Sequence, residues 1–220
     1  MVVTTSKRTP RNSLSPELIV TTALRVMESA GADECSVRAV AKELGTGPMA
    51  LYTYFRSKDD LFDAVRNHLL AQLPPPAAGG IWQDQVRDLC RNLRLLMLRH
   101  PCLARLLAGR PLSGHETAAT AEGLLRVLRG AGLDPQAAAR CHTTLFTFVL
   151  GATTWELQMA SEQRDPDRAR RLRATMESLS AADYPTVVAL ARELSATTGG
   201  EAQFDHGLDL LITGIEALLG

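Results

Sequence analysis

The sequence is poor in aromatic residues and has no long apolar run. Phe, Trp and Tyr together make up 5% of its 220 residues, although hydrophobic residues of all kinds make up 45%. No apolar stretch reaches the roughly 20 residues of a membrane-spanning helix, so we expect no membrane partner. Abundant Ala and Leu, with only short β-branched runs, favour an all-α fold.

Cysteine is equally scarce and forms no motif. The four cysteines, Cys35, Cys90, Cys102 and Cys141, lie far apart and include no CxxC pair. This spacing argues against a disulfide framework and favours reduced thiols in a cytoplasmic protein. The N-terminus also lacks the apolar core of a signal peptide.

The chain carries no net charge, with 24 basic and 24 acidic residues, and so gives no global sign of nucleic-acid binding. One local bias exists, because residues 1–13 contain Lys7, Arg8 and Arg11 but no acid. Such a segment is either a disordered, solvated tail or a basic arm that reaches phosphates or a minor groove. Both interpretations stay open at this point.

Helix start and stop signals predict two short helices near the N-terminus. Ser15 and Pro16 open the first helix, which Gly31 ends, and Ser36 and Gly45 bound the second. The residue at position 45 needs a positive φ to turn the chain, which glycine adopts without strain.

Two further helices follow directly. Thr46 is the predicted N-cap of the third helix, with Gly47-Pro48 in its first turn, where a missing N–H costs nothing. Ser57 and Asp60 are spaced as a capping box at the start of a fourth helix, which we expect to reach Leu73.

A Pro- and Gly-rich segment, Pro74 to Gly80, is the predicted linker to a larger helical body. The body's predicted helices span about 81–99, 101–108, 116–131, 134–162, a segment opening at 165, 185–196 and 201–219. We find no repeat and no low-complexity tract.

The second and third helices have the layout of a helix-turn-helix. Their shared apolar seam is predicted to contain Val40, Leu44, Leu51 and Phe55. The free face of the third helix then carries polar and apolar side chains that can enter a major groove, with basic residues beside it to neutralise phosphates. These are Pro48, Met49, Tyr52, Thr53 and Tyr54 on the face and Arg38, Arg56 and Lys58 beside it. The alternative is a tight αα-hairpin within a helical bundle.

The stretches IVTTALRVMESAG and SVRAVAKELGTGPMALYTYFRSKDDLFDAV resemble the N-terminal domain of the TetR family of bacterial transcriptional regulators. The resemblance covers residues 14–73 and implies a DNA-binding domain that includes the connecting fourth helix. It also implies a homodimer that reads a palindromic DNA operator, with half-sites about one to one and a half turns apart. The implied DNA contacts are Arg38, Thr46, Gly47, Pro48, Met49, Tyr52, Thr53, Tyr54 and Lys58. Lys58 and Tyr54 are expected at phosphates, and Met49 and Tyr52 at bases or thymine methyl groups.

The stretches RHPCLARLLAGRP and FVLGATTWELQ resemble tetracycline-repressor-like C-terminal domains. The resemblance implies that residues 81–220 bind a small-molecule effector and form the dimer. A helix holding Gly151 and the last helix would pair with their mates across the interface. The expected interface residues are Gly151, Phe204, Leu208, Leu211 and Ile215, within an apolar stripe of the last helix that continues to Leu218.

Candidate residues for the effector pocket follow from polarity and size, although each could equally be ordinary core. They are Met97, His100, Leu106, His142, Phe146, Thr147, Trp155 and Met159. Trp155 is the first choice, because a buried indole N–H needs a partner. An apolar body favours an apolar or amphipathic effector, and no counterpart exists for the histidines that hold magnesium in tetracycline repressors.

The pairs His142–Cys141 and His100–Cys102 suggest a metal site only weakly. A metal needs three or four converging ligands, and neighbouring residues of a helix diverge by about 100°. We therefore expect no metal, no cofactor and no catalytic residue.

The expected function is a ligand-responsive repressor. The alternatives are an activator or ligand-independent regulator of the same family and, more distantly, a helical-bundle enzyme or a helical interaction protein without a DNA role.

Overall fold

The computed structural model of the protein describes residues 14–108, 114–163, 165, 167–197 and 199–220. These residues form helices and turns, with no strand among them. The helices are α1 (Pro16–Ala30), α2 (Val37–Glu43), α3 (Pro48–Leu51), α4 (Lys58–Leu70), α5 (Trp82–Arg99), α6 (Cys102–Ala108), α7 (His115–Gly130), α8 (Pro135–Gln163), α9 (Arg168–Glu177), α10 (Pro185–Ala189), α11 (Ala191–Ala196) and α12 (Glu201–Glu216). The predicted all-α fold is confirmed.

The predicted caps of α1 and α2 are confirmed. Ser15 Oγ accepts a hydrogen bond from Leu18 N at 3.2 Å, and Ser36 Oγ accepts one from Ala39 N at 3.1 Å. Gly31 ends α1 at a φ of 95°, and Gly45 follows α2 at a φ of 66°.

The structure corrects details of α3 and α4. Gly47, with an extended backbone, is the N-cap of α3, and no side chain caps this helix, so Thr46 does not have the predicted role. Ser57 caps α4, but Asp60 accepts its hydrogen bond from Arg56 N rather than from Ser57 N. Helix α4 ends at Leu70 rather than Leu73, because the chain continues in turns.

The body follows the predicted order, with one helix broken. The expected helix over 185–196 is two helices, α10 and α11, which meet at Leu190, where the backbone leaves the helical range. Within the described residues, no helix is both long and apolar enough to cross a membrane.

The chain packs as two compact units that divide after Gly130. The first unit contains α1–α7, and its core includes Ile19, Met27, Leu61 and Leu103. The predicted linker belongs to this unit, since a Cβ at Gly123 of α7 would lie 3.3 Å from Pro76 Cγ. The proposed domain boundary at 73–81 therefore falls within the first unit.

The second unit, residues 131–220, is organised around the pairing of α8 with α12. The rings of Phe148 and Phe204 pack at 5.2 Å between centroids. A Cβ at Gly207 would meet the Phe148 ring at 2.7 Å, so this glycine permits the close approach. Helices α9, α10 and α11 pack on one another.

Candidate nucleic-acid interface and effector region

The turn between α2 and α3 sets the geometry of the candidate DNA-reading surface. The backbone N–H of Gly45 donates to Lys42 O at 3.1 Å, and that of Thr46 donates to Ala41 O at 2.9 Å. Both bonds require the chain to reverse at Gly45, where φ is positive. The side chain of Ala41 is buried, and a small residue there lets the two helices approach closely.

The apolar seam of the helix-turn-helix is packed as expected. Val40, Leu44 and Leu51 are buried, and Phe55 is half-buried. Helix α1 packs against both α2 and α4. Burial of this seam fixes which face of α3 points outward.

The opposite face of α3 is open to solvent. Met49 is 76% exposed and Tyr52 is 45% exposed. Gly47, Thr53, Arg38 and Lys58 are also exposed, while Thr46 and Pro48 are half-buried. Met49 and Tyr52 thus form an exposed apolar and aromatic surface at α3.

Two side chains at the edge of this surface have defined contacts within the chain. Tyr54 Oη donates a hydrogen bond to the carbonyl oxygen of Leu14 at 2.9 Å. Lys58 Nζ lies 4.8 Å from the centroid of the Phe62 ring. The ammonium of Lys58 therefore lies at the N-terminus of α4 in a cation–π contact with this ring. The basic segment of residues 1–13 lies outside the described residues, so its contact with DNA stays a prediction.

The eight candidate pocket residues divide between the two units. Met97 and Leu106 are buried in the first unit, and His100 Nδ1 lies 2.6 Å from Glu28 Oε1 of α1. The other five, on α8, belong to the second unit. His142, Phe146 and Met159 are half-buried and Thr147 is exposed. Trp155 is 58% exposed, so the expectation of a buried indole was wrong.

Trp155 instead lines an open cavity within the second unit. The cavity, of about 410 Å³, lies between the C-terminal half of α8 and the start of α12. The aromatic side chains of Phe148, Trp155 and Phe204 line the cavity. Glu156 and Gln203 also line it.

The residues expected at the dimer interface are mostly core. Phe204, Leu208 and Ile215 are buried within their own chain, because this stripe of α12 packs on α8, and Leu211 is half-buried. Most of the predicted stripe therefore covers α8 within the chain, and its part in contacts between two copies stays a prediction. The exposed face of α12 carries Leu210 and Gly214, and Leu218 lies just beyond the end of the helix. Each of the two leucines is 62% exposed. Gly151 of α8 is exposed, and a Cβ there would meet nothing within 4 Å.

Comparison with known proteins identifies the family. Residues 19–65 match the model of bacterial regulatory proteins of the tetR family, and residues 74–219 match that of the tetracyclin repressor-like C-terminal domain. The chain belongs to the TetR family. It is a DNA-binding transcriptional regulator, and this membership points away from an enzyme.

Relatives and solved structures match along almost the whole chain. An HTH-type transcriptional regulator of Saccharopolyspora erythraea is 30% identical, over 94% of this chain and 86% of its own length. The HTH-type transcriptional repressor DrrR1 of Streptomyces coeruleorubidus is 29% identical, over 96% of this chain and 81% of its own. The structure of ActR, a TetR-family protein of Streptomyces coelicolor, in complex with actinorhodin has a TM-score of 0.82. It is 32% identical and covers 94% of this chain and 99% of that one.

Burial in this TetR-family chain favours the neutral forms of two thiols and of one imidazole. Burial raises the pKa of Cys90 to about 12 and that of Cys102 to about 11, and it lowers the pKa of His142 below its ordinary value. All four cysteines are free and buried. Among the described residues, no group of three or more His, Cys, Asp or Glu side chains is placed to hold a metal ion.

Sequence reasoning missed Phe148, Glu156 and Gln203 around the cavity. Phe148 lies seven residues before Trp155 and so shares its helix face, which a search for aromatic residues at helical spacing could have found. Gln203 and Glu156 have no such signal, because their position depends on how α12 docks on α8.

Proposed function

We propose that this chain is a repressor that binds a palindromic operator as a homodimer and releases it when a small apolar or amphipathic effector binds the C-terminal body. The observation that carries the proposal is the outward face of α3, where Met49 and Tyr52 are exposed while Val40, Leu44 and Leu51 of the seam are buried. The relative DrrR1 is itself named a repressor. ActR, the structural relative, binds the small molecule actinorhodin.

The contacts to DNA divide into two kinds. Met49 and Tyr52, on the exposed face, would meet base edges and thymine methyl groups in the major groove and so carry selectivity. Arg38 and Lys58 would neutralise phosphates, which supplies salt-dependent affinity without sequence preference. Gly47, Pro48, Thr46 and Thr53 would bring the backbone of the turn and the first turn of α3 close to the DNA.

Helix α4 offers a route from the body to the reading surface. It packs against α1 on one side and against α6 and α7 on the other. Two side-chain contacts also join α1 and the loop after it to this part of the body. His100 Nδ1 lies 2.6 Å from Glu28 Oε1, and Arg105 forms an ion pair with Asp33 at 2.9 Å. An effector that prefers one arrangement of these helices would shift the population of DNA-binding dimers.

The exposed faces of α8 and α12 support the homodimer. Glycine in a helix interior lowers helix stability by about 1 kcal/mol relative to Ala, and both Gly151 and Gly214 lie in such interiors. A Cβ built at either position meets nothing within 4 Å in the same chain. Leu210 is exposed on α12, and Leu218 is exposed just beyond its end. A second copy packed on these faces would use the glycines for close approach and cover the leucines. Because its ligand is chromosomal DNA, the dimer would act in the cytoplasm.

Salt-dependent binding to genomic DNA fragments tests this function, with the wild type compared with Lys58→Ala. We expect the wild type to select a palindromic site. Lys58→Ala is expected to weaken binding to all sites by a similar factor and to reduce the salt slope by about 0.9 for each phosphate that Lys58 would neutralise. Arg126→Ala, which removes an exposed cation from α7, is the matched control and should bind as the wild type does. A wild-type protein that selects no site even in low salt would contradict the proposal.

A further inference from the structure

We propose that the open cavity between α8 and α12 binds a flat aromatic cation, and that such a cation is the class of effector to which this chain responds. An aromatic cation is amphipathic, as the proposed function requires. The role of the ligand as an effector rests on that proposed function. The binding itself needs no DNA, so the site and the operator can be tested separately.

Two of the aromatic rings that line the cavity are fixed by packing within the chain. Phe148 of α8 and Phe204 of α12 lie 5.2 Å apart between ring centroids, with their planes tilted by 33°. Phe204 is buried. Gly207 leaves the room that the Phe148 ring occupies, since a Cβ there would lie 2.7 Å from this ring. Both rings therefore have a defined position before any ligand binds.

Trp155 supplies a third aromatic surface. It follows Phe148 by about two turns of α8, so the two side chains share one face of the helix. Ala152 lies between them on this face, and its single methyl group leaves open the space that a longer side chain would fill. A flat ring system stacked on Trp155 would cover an indole that is now 58% exposed, which is favourable.

The size of the cavity and its edge suit a small molecule. Its volume of about 410 Å³ lies within the roughly 300–1,000 Å³ that is typical of small-molecule sites. Thr197, Gly199 and Gly200 form the edge at the start of α12. The two glycines have φ values of 85° and 87° and no side chain, so the backbone alone borders the cavity there.

The charged groups at the cavity are acidic. Glu156 lines it, and Glu201 lies between the lining residues Gly200 and Gln203 in the first turn of α12. Among the described residues that line the cavity there is no lysine and no arginine. The face of an aromatic ring attracts a cation, and carboxylates close by add to this attraction. The lining therefore favours a cationic ligand over an anionic one with the same rings.

The position of the cavity also suggests how a ligand would act on DNA binding. The exposed faces of α8 and α12 are the proposed contact surface between two copies of the chain. Gly151, on that face of α8, directly precedes the lining residue Ala152. A ligand that prefers one packing of α8 on α12 would shift the population of dimer geometries, and with it the spacing of the two DNA-reading surfaces.

Isothermal titration calorimetry on the full chain, without DNA and in low salt, tests the site. Three probes share one ring system and differ in charge: naphthylmethylammonium, naphthylmethanol and naphthylacetate. Glu156→Gln removes the carboxylate and keeps the shape of the side chain, and Glu193→Gln, on the exposed face of α11, is its control. Trp155→Ala removes the aromatic wall, with the similarly exposed Tyr184→Ala as its control. Ala152→Leu fills the cavity.

We expect the ammonium to bind about five- to thirtyfold more tightly than the alcohol, and the acetate to bind most weakly. Glu156→Gln should weaken the ammonium by a similar factor and leave the alcohol unchanged. Trp155→Ala should weaken the ammonium and the alcohol by about three- to tenfold, and Ala152→Leu should abolish binding of both. The two control variants should bind all three probes as the wild type does.

Four results would overturn the inference. The acetate could bind as tightly as the ammonium, or none of the probes could bind. Glu156→Gln could keep the wild-type preference for the ammonium. Ala152→Leu could bind the ammonium as the wild type does, which would place the ligand elsewhere. Binding could disappear at protein concentrations at which the dimer forms, which would show that a second copy covers the cavity. Failure of the proposed function is a separate result, in which the wild type selects no operator.

Discussion

At the scale of single residues, the turn between α2 and α3 depends on one backbone conformation. Gly45 has a φ of 66°, in the left-handed region that costs other residues roughly 1–2 kcal/mol. The N–H groups of Gly45 and Thr46 make their hydrogen bonds only if the chain reverses there. The positive φ of Gly45 therefore sets the position of α3 relative to α2, and with it the geometry of the candidate DNA-reading surface.

We expect Gly45→Ala to lower the free energy of unfolding by about 1 kcal/mol, since the strain is partly offset by the reduced freedom of the unfolded chain. Gly45→Asn should cost less, because Asn tolerates the left-handed region. The measurement is urea unfolding at fixed protein concentration. Gly130→Ala in α7, where a Cβ would meet nothing within 4 Å, is the control and should not destabilise. Equal stability of Gly45→Ala and wild type would show that this conformation is not required.

A second residue-scale prediction concerns His142. Burial lowers its pKa below the ordinary 6.5, so the unfolded chain binds the proton more readily than the folded chain. Stability should therefore be unaffected by this group well above pH 6.5 and should fall as the pH drops below 6.5. We expect His142→Leu to reduce the loss of unfolding free energy between about pH 7.5 and about pH 5.5. His206→Gln, on the exposed face of α12, is the control. An unchanged loss in His142→Leu would contradict the role given to burial.

How far the sequence predicts the structure at this scale depends on whether the signal is local. Ser15, Ser36 and Ser57 cap their helices through bonds to residues three positions ahead, and each was predicted from the residue type alone. Trp155 was not, because its exposure depends on where α12 docks. The bond from Tyr54 to Leu14 spans 40 residues and has no sequence signature.

At the scale of elements, α8 and α12 each have one face that packs within the chain and one that does not. Helical periodicity located the buried stripe of α12, yet assigned it to a second copy. Periodicity shows that a face is apolar but not which neighbour covers it, because both neighbours are equally apolar. The exposed face with Leu210 and Gly214 gives a weak periodic signal, and only Leu218, which follows α12, was part of the predicted stripe.

The exposed glycines give the dimer a test in which two effects have opposite signs. On a solvent-exposed helix, Gly→Ala stabilises by about 1 kcal/mol. At a close helix–helix contact, the added methyl groups force the helices apart and cost about 1–3 kcal/mol. We expect Gly151→Ala and Gly214→Ala to weaken the dimer in sedimentation equilibrium, with Gly130→Ala unchanged. If both variants unfold less readily than the wild type and dimerise equally well, the exposed faces of α8 and α12 lie in solvent, which contradicts the proposed interface.

At the scale of the whole molecule, helix α4 belongs both to the DNA-binding match and to the packing of the first unit. The predicted division at residues 73–81 follows composition, because Pro and Gly are concentrated there. By packing, α4 contacts α6 and α7 and the compact units part after Gly130, while the functional division at residues 73–81 stays a prediction. Composition marks where a chain bends, whereas a compact unit is decided by contacts between distant segments, which local composition does not reveal.

The central claim is that the exposed face of α3 selects the operator. The most direct test measures binding of Tyr52→Ala to the selected operator and to a scrambled duplex, at several salt concentrations. Tyr184→Ala is the matched control, because this tyrosine is similarly exposed, at 53% against 45%, but lies in the second unit. We expect Tyr52→Ala to lose about 1–3 kcal/mol of discrimination between the two duplexes, with its salt slope nearly unchanged. Wild-type discrimination in Tyr52→Ala, or an equal loss in Tyr184→Ala, would contradict the account.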